Sequence, residues 1–137
     1  MPRLPTAVLV LLAVAASVVP ASAATPLRGT IKRSFTATGV NGHVTSTFPR
    51  TAGHVYASFI WLRAPTAGQK LEIDWYGPTG QRVAVWKNRT LKTDTAGTRL
   101  YSFIGRKTIR SRPGRWRVAL LVGGVERGQK TFTVAKR

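Results

Sequence analysis

Residues 70–80 carry the clearest structural signal in this chain, and they read Lys70-Leu71-Glu72-Ile73-Asp74-Trp75-Tyr76-Gly77-Pro78-Thr79-Gly80. Apolar and polar residues alternate through residues 70–76, which places Leu71, Ile73 and Trp75 on one side of the chain. This period-2 alternation is typical of a strand with one buried face. A Pro and Gly turn follows directly, and it favours a reversal of the chain. We therefore predict a hairpin, with a strand over 70–76 and a returning strand over 81–87.

Short segments with similar alternation occur on both sides of this hairpin, and glycine or proline residues separate them. They lie at 30–38, 55–63, 99–104, 115–122 and 129–134. About seven strands at this spacing predict an all-β protein, an antiparallel β-sandwich of two sheets in one domain, with a small closed barrel as the alternative. Trp61, Trp75 and Trp116 are expected in its core.

Two polar segments and one of the strand segments need a separate prediction. The polar segments 88–97 and 105–114 are expected to be loops, the first with a short edge strand. Segment 55–63 is apolar on both faces, which predicts a central strand, or one that lies near an interface.

The first 23 residues have the three-part pattern of a secretory signal peptide. Arg3 precedes an apolar run over 7–19, and Ala21-Ser22-Ala23 supplies small residues for cleavage. The run is shorter than the roughly 20 residues that a membrane-spanning helix needs. We predict that residues 1–23 are removed and that 24–137 form one exported domain, periplasmic or extracellular and not membrane-spanning after cleavage.

The chain is strongly basic, with 22 Lys and Arg residues against four Asp and Glu and a formal net charge of +18. Such an excess creates a positive surface potential and favours anionic partners. An anionic polysaccharide, a lipid headgroup or another polyanion is the expected class of partner. The alternative is that the cations are spread over the surface and only solvated. The chain contains no cysteine, so disulfides do not contribute to its stability.

Two groups of cations are candidates for binding a polyanion, because guanidinium groups form forked hydrogen bonds with phosphates and carboxylates. The first group is Arg106, Lys107, Arg110, Arg112, Arg115 and Arg117, and the second is Arg82, Lys87, Arg89 and Lys92. If both hairpins belong to one sheet, the groups are able to merge. Trp86, between Arg82 and Lys87, is a candidate exposed aromatic anchor.

Aromatic residues on exposed strands also stack on nucleic-acid bases. Tyr76, Tyr101 and Phe103 are candidates for that role, although most aromatic residues in strands belong to the core. Sequence-specific recognition of nucleic acid is not expected from this chain.

The sequence contains no motif that predicts catalysis: it has no G-x-S-x-G, P-loop or H-E-x-x-H motif and no cysteine nucleophile. Glu72 and Asp74 share a strand face about 7 Å apart, a separation that suits glycoside hydrolysis. One short strand offers no sugar-binding cleft, so we expect them to pair with Lys70 or nearby arginines. A metal site at His43 and His54 would need a third ligand, and carboxylates are scarce in this chain. We predict no enzymatic activity, no metal and no cofactor.

The last third of the chain contains the pattern P-G-x-W-x-V-x-L at 113–120, a glycine pair at 123–124 and F-x-V at 132–134. This pattern resembles the closing strand pair of bacterial secreted immunoglobulin-like modules, and 71–80 is similar to their middle hairpin. The resemblance implies a sandwich fold and a role in adhesion, recognition or assembly in the cell envelope. It supplies no catalytic residues. The cysteine pair of antibody-type domains is absent.

Two functional hypotheses follow. The first is a non-catalytic exported binding module that contacts an anionic envelope polymer, a lipid headgroup or a protein partner. The alternative is a structural or accessory envelope protein that assembles through strand addition or through an apolar face such as that of 55–61. Charge-driven binding weakens steeply with salt, whereas apolar assembly resists it.

Overall fold

A computed structural model describes residues 30–137, and the predicted signal peptide, 1–23, lies outside them. The described residues form eight strands and one short helix. In chain order these are β1 (Thr30–Ala37), β2 (Thr47–Phe48), β3 (His54–Arg63), β4 (Lys70–Tyr76), β5 (Arg82–Arg89), β6 (Arg99–Gly105), α1 (Arg106–Arg110), β7 (Gly114–Val122) and β8 (Val125–Val134). Within 30–137, no helix is both long and apolar enough to cross a bilayer.

The strands form two separate sheets, which confirms the predicted β-sandwich and excludes the closed barrel. One sheet has the order β1-β3-β6, and the other has the order β2-β8-β7-β4-β5. All pairs are antiparallel except β2 with β8. This grouping of the first, second and fifth long strands against the third, sixth and seventh is that of an immunoglobulin-like sandwich, with the fourth long strand placed beside the third.

The core lies between the sheets and is rich in tryptophan. Trp61, Trp75 and Trp116 are at most 1% exposed, as predicted. The Phe132 ring stacks on Trp116 at 5.7 Å between centroids and meets Trp75 edge-on at 5.9 Å. The Trp75 Nε1 group donates a hydrogen bond to Ser102 Oγ at 3.2 Å, which links the two sheets through their centre. The buried indole nitrogen is thereby satisfied.

The structure differs from the prediction in three places. The two-residue strand β2 was not predicted, because two residues are too few to show alternation. Segment 105–114 was predicted to be a loop, but it contains the short helix α1. The fully buried Ile109 side chain packs this helix against the core. Segment 88–97 lacks the predicted separate edge strand: β5 continues to Arg89, and turns and irregular backbone follow.

Candidate functional site

One end of the sandwich collects cations from three separated segments. Arg50, between β2 and β3, donates hydrogen bonds from Nε and Nη2 to the Arg110 carbonyl oxygen at 3.1 and 2.9 Å. Its Nη1 group donates to the Lys136 carbonyl oxygen at 3.0 Å. Arg106 donates to the Thr51 carbonyl oxygen at 3.3 Å. We call this end the basic pole, and its cations are Arg50, Arg106, Lys107, Arg110, Arg112 and Lys136.

The four side-chain carboxylates of the chain all lie away from the basic pole. Glu72 and Asp74 project from the middle of β4, and Glu126 and Asp94 follow turns at the opposite end of the sandwich. Asp74 pairs in register with Ala119. Ala119 lies five residues from Gly114, the residue at which β7 begins beside the basic pole. This is about 16 Å along the sheet at 3.3 Å per residue. No side-chain carboxylate therefore neutralises the pole directly.

The second predicted group of cations lies in a different electrostatic setting. The β4–β5 and β7–β8 hairpins do belong to one sheet, because β4 pairs with β7. On the outer face of this sheet, Arg82 Nη1 lies 3.3 Å from Glu72 Oε1 and 3.7 Å from Asp74 Oδ2. Arg117 Nη1 lies 2.6 Å from Glu126 Oε1. Arg82 and Arg117 are therefore paired with acids, and they do not extend the basic pole as uncompensated charges.

The remaining predicted cations are distributed as follows. Arg115 is exposed at the start of β7, and Lys87 is exposed on β5. Arg89 donates to the Gly68 carbonyl oxygen at 3.0 Å, at the end opposite the pole, and Lys92 is exposed in the turn that follows β5. The structure thus brings together Arg106, Lys107, Arg110 and Arg112, and Arg115 follows Gly114 at the same end of β7. Arg82 and Arg117 are paired with acids, and Arg89 and Lys92 lie at the opposite end.

The acidic pair on β4 pairs with an arginine, as expected. Asp74 is only 2% exposed and accepts a hydrogen bond from the Tyr76 hydroxyl at 3.3 Å. Hydrogen bonding with the Asp74 carboxyl raises the pKa of Glu72, and partial burial and the negative charge of Asp74 raise it further. Arg82 and Lys87 act in the opposite direction. The pair lies on an open sheet face and is held by Arg82.

The outer face of the three-stranded sheet carries a row of aromatic rings, which we call the aromatic strip: His54, Tyr56, Tyr101 and Phe103. Phe103 stacks on Tyr56 at 5.1 Å between centroids, and His54 meets Phe103 edge-on at 5.4 Å. Tyr101 lies 6.3 Å from Tyr56. Phe103 is 52% exposed and Tyr101 is 44% exposed, so their rings are open to solvent.

Sequence reasoning identified only part of this strip. It singled out Tyr101 and Phe103 but not Tyr56 or His54, whose positions beside Phe103 depend on the pairing of β3 with β6. Tyr76 does not belong to the strip. It lies on the other sheet, where the Arg117 guanidinium covers its ring at 4.3 Å.

Cations also border the strip at the end away from the pole. Arg33 and Arg99 lie 4.8 and 5.8 Å from the centroid of the Phe35 ring. Arg99 in addition donates a hydrogen bond to the Val40 carbonyl oxygen. Phe35 is consequently buried, whereas Tyr101 and Phe103 remain open.

A groove of about 490 Å³ separates β5 from β6. Within the described chain, neither strand has a neighbour on this side. Trp86 and Leu91 line the groove together with Tyr101 and Phe103, and the Arg89 and Arg99 side chains border it. Trp86 is half-buried and packs against the core, so it forms a wall of the groove and is not a fully exposed anchor.

The two histidines are apart and take part in different contacts. The His43 backbone N–H donates to Thr38 Oγ1 at 3.0 Å, whereas the His54 ring packs against Phe103. Among residues 30–137, no group of three or more His, Asp or Glu side chains has a geometry that suits a metal ion.

The sequence matches no protein-family model and no curated protein. Among solved structures, it is similar to an immunoglobulin-like protein from Pseudomonas aeruginosa, at 13% identity and a TM-score of 0.49, over 77% of this chain and 94% of that one. An alkylpurine DNA glycosylase from Pseudomonas fluorescens, bound to DNA with an abasic-site analogue, matches at 17% identity and a TM-score of 0.44, over 77% of this chain and 30% of that one. An endonuclease/exonuclease/phosphatase from Beutenbergia cavernae matches at 14% identity and a TM-score of 0.35, over 59% of this chain and 20% of that one.

Proposed function

We propose that this protein is an exported, non-catalytic binding module whose basic pole binds an anionic polymer. The observation that carries the proposal is the convergence of Arg50, α1 and Lys136 at one end of the sandwich, with the four side-chain carboxylates elsewhere. Uncompensated cations that converge raise the local concentration of a polyanion far more than the same charges spread apart.

The helix α1 presents the cations of the pole to solvent. Arg106, Lys107 and Arg110 are all exposed, while Ile109 fixes the helix in the core. Arg50 holds the end of the helix through its contacts with the Arg110 carbonyl oxygen, so the backbone that carries these cations is already ordered before a ligand binds. The ligand chemistry that fits is a series of phosphates or carboxylates, as in an anionic polysaccharide, a layer of lipid headgroups or another polyanion.

A non-catalytic role is supported by the setting of the acidic pair, since Arg82 contacts both Glu72 and Asp74 on an open sheet face. Export to the periplasm or beyond is supported by the signal-peptide pattern in residues 1–23.

The proposal is tested by measuring the binding of labelled inorganic polyphosphate between about 50 and about 200 mM NaCl. The purified protein is compared with a triple variant, Arg106→Gln, Lys107→Gln and Arg110→Gln. We expect the affinity of the wild type to fall steeply with salt. The slope of log K against log salt should flatten by about 2 in the variant, which lacks three ion contacts.

A matched control removes the same charge from the opposite end, with Lys32→Gln, Arg63→Gln and Arg127→Gln, three exposed cations. It should bind polyphosphate nearly as well as the wild type. Equal losses in both triple variants would show that only net charge matters and would overturn the basic pole. No binding at low salt would overturn the proposal altogether.

A structural or accessory envelope protein is the second candidate, and the edges of β5 and β6, which have no strand neighbour within residues 30–137, favour it. Both edges border an apolar groove, and Leu62 on the neighbouring face is 49% exposed. An extended segment of a partner is able to add to such an edge through its backbone hydrogen bonds. Sedimentation in about 0.5 M NaCl, which screens charge, tests this role. Assembly that persists supports it, and a monomer at high concentration opposes it.

A further inference from the structure

We infer that the basic pole and the aromatic strip together bind one ligand, single-stranded nucleic acid, without regard to base sequence. This inference rests on the proposed function and names the class of polyanion. Phosphates would contact the cations while bases stack on Tyr101 and Phe103.

The two surfaces are continuous along one strand. The outward positions of β6 are Arg99, Tyr101 and Phe103, and the strand leads directly into α1, which begins at Arg106. From Arg99 to Gly105 this track is about 20 Å long. Exposed rings therefore lie between a cation at one end and the basic pole at the other, which is the combination that non-specific single-strand binders use.

The rings are both accessible and supported. Tyr56 packs against Phe103 from the neighbouring strand, at 5.1 Å and an interplanar angle of 30°. Tyr56 is half-buried, while more than half of the Phe103 surface stays exposed. A ring that is already held in place loses little freedom when a base stacks on it, so most of the stacking energy is retained as affinity.

The composition of this face favours nucleic acid over an anionic polysaccharide. Its outward strand positions are Arg33, Phe35, Ala37, His54, Tyr56, Ser58, Ile60, Leu62, Arg99, Tyr101, Phe103 and Gly105. None of these strand positions carries a carboxylate or a carboxamide that would accept hydrogen bonds from sugar hydroxyls. Rings and cations match instead the flat faces of bases and the phosphates between them.

The same surface favours single strands over duplexes. In a duplex the base faces are stacked inside, and only base edges are accessible in the grooves. Unpaired bases present their faces to aromatic side chains. Discrimination between bases needs paired donors and acceptors on their edges. The open rings of Phe103 and Tyr101 provide one hydroxyl between them, which predicts binding with little sequence preference.

The test compares four labelled probes: an oligothymidylate of about twelve nucleotides, an abasic strand of equal length, inorganic polyphosphate and polygalacturonate. Oligothymidylate should bind the wild type about 10-fold more tightly than the abasic strand. In the Phe103→Ala variant this advantage should largely disappear, while polyphosphate affinity stays the same. Val125→Ala is the matched control, because it removes an apolar side chain that is also 52% exposed but lies on β8, in the other sheet, and it should leave all four affinities unchanged.

Each alternative result has a separate meaning. Equal binding of oligothymidylate and the abasic strand, with polyphosphate still bound at the pole, would overturn this inference and leave the proposed function standing. A Phe103-dependent preference for polygalacturonate over oligothymidylate would replace nucleic acid with an anionic polysaccharide. If none of the probes binds, both proposals fail.

Discussion

The buried Asp74 carboxyl changes the pKa of Glu72, two residues earlier on the same face of β4. Asp74 is buried on the outer sheet face, where Ala119 faces it and leaves room for Arg82 and Tyr76 to reach its carboxyl. The contact with this carboxyl raises the pKa of Glu72 from its usual value of 4.5. The folded protein therefore disfavours the ionised form of Glu72.

This raised pKa predicts how stability depends on pH. Between the unfolded value of 4.5 and the higher folded value, the native state binds more protons at Glu72 than the unfolded state does. Stability from this group therefore falls as pH rises through that window. We expect Glu72→Gln to reduce the fall in the free energy of unfolding between pH 4 and pH 7, measured by urea denaturation.

Glu126→Gln is the matched control, since it also removes one carboxylate that contacts an arginine. If the variant at position 72 keeps the full pH dependence of the wild type in this window, the interaction with Asp74 is not its source.

At the scale of elements, the turn that starts β7 joins the two hairpins of the larger sheet. Gly114 has a φ of 130°, and a Cβ atom built on it would lie 2.9 Å from Pro78 Cβ, in the turn between β4 and β5. Side chains rarely adopt this backbone conformation, and the close approach leaves no space for one. The Pro-Gly pair at 113–114 is thus required by contact between hairpins as well as by the local turn.

We predict that Gly114→Ala lowers the free energy of unfolding by about 2 kcal/mol, because it combines backbone strain with overlap. Denaturant unfolding measures the change. Gly53→Ala is the control, since a Cβ atom at that position would have no atom within 4 Å and the φ of Gly53 is not in the positive region. It should be neutral or slightly stabilising. Similar losses at both positions would contradict the role of the Pro78 contact.

At the scale of the whole molecule, charge opposes folding. The formal net charge of +18 creates repulsion that is strongest where the cations converge, at the basic pole. Salt screens this repulsion, because the screening length falls from about 30 Å at 0.01 M to about 8 Å at 0.15 M. The folded state should therefore become more stable as salt is added.

We expect the midpoint of thermal unfolding to rise by about 5 °C between about 0.01 and about 0.3 M NaCl, as a gain of roughly 1 kcal/mol would produce. The triple variant Arg106→Gln, Lys107→Gln and Arg110→Gln should rise less, because fewer cations converge at its pole. A midpoint that does not change with salt would show that the cations are too far apart to repel one another.

The sequence by itself determined the fold class, seven of the eight strands and the three core tryptophans. It did so because alternation and turn residues are local, and each strand contains its own signal. The sequence also placed Arg106, Lys107, Arg110 and Arg112 in one group, together with Arg115 and Arg117, since all six are close in the chain.

Only the tertiary structure decided which cations act together. Arg50 contacts Arg110 in α1 across 60 positions and Lys136 across 86 positions. Arg82 and Arg117 are neutralised by acids that approach them through strand pairing. The aromatic strip likewise exists because β3 and β6 pair in one register. Composition fixes how much charge the chain has, but long-range pairing fixes where that charge remains uncompensated.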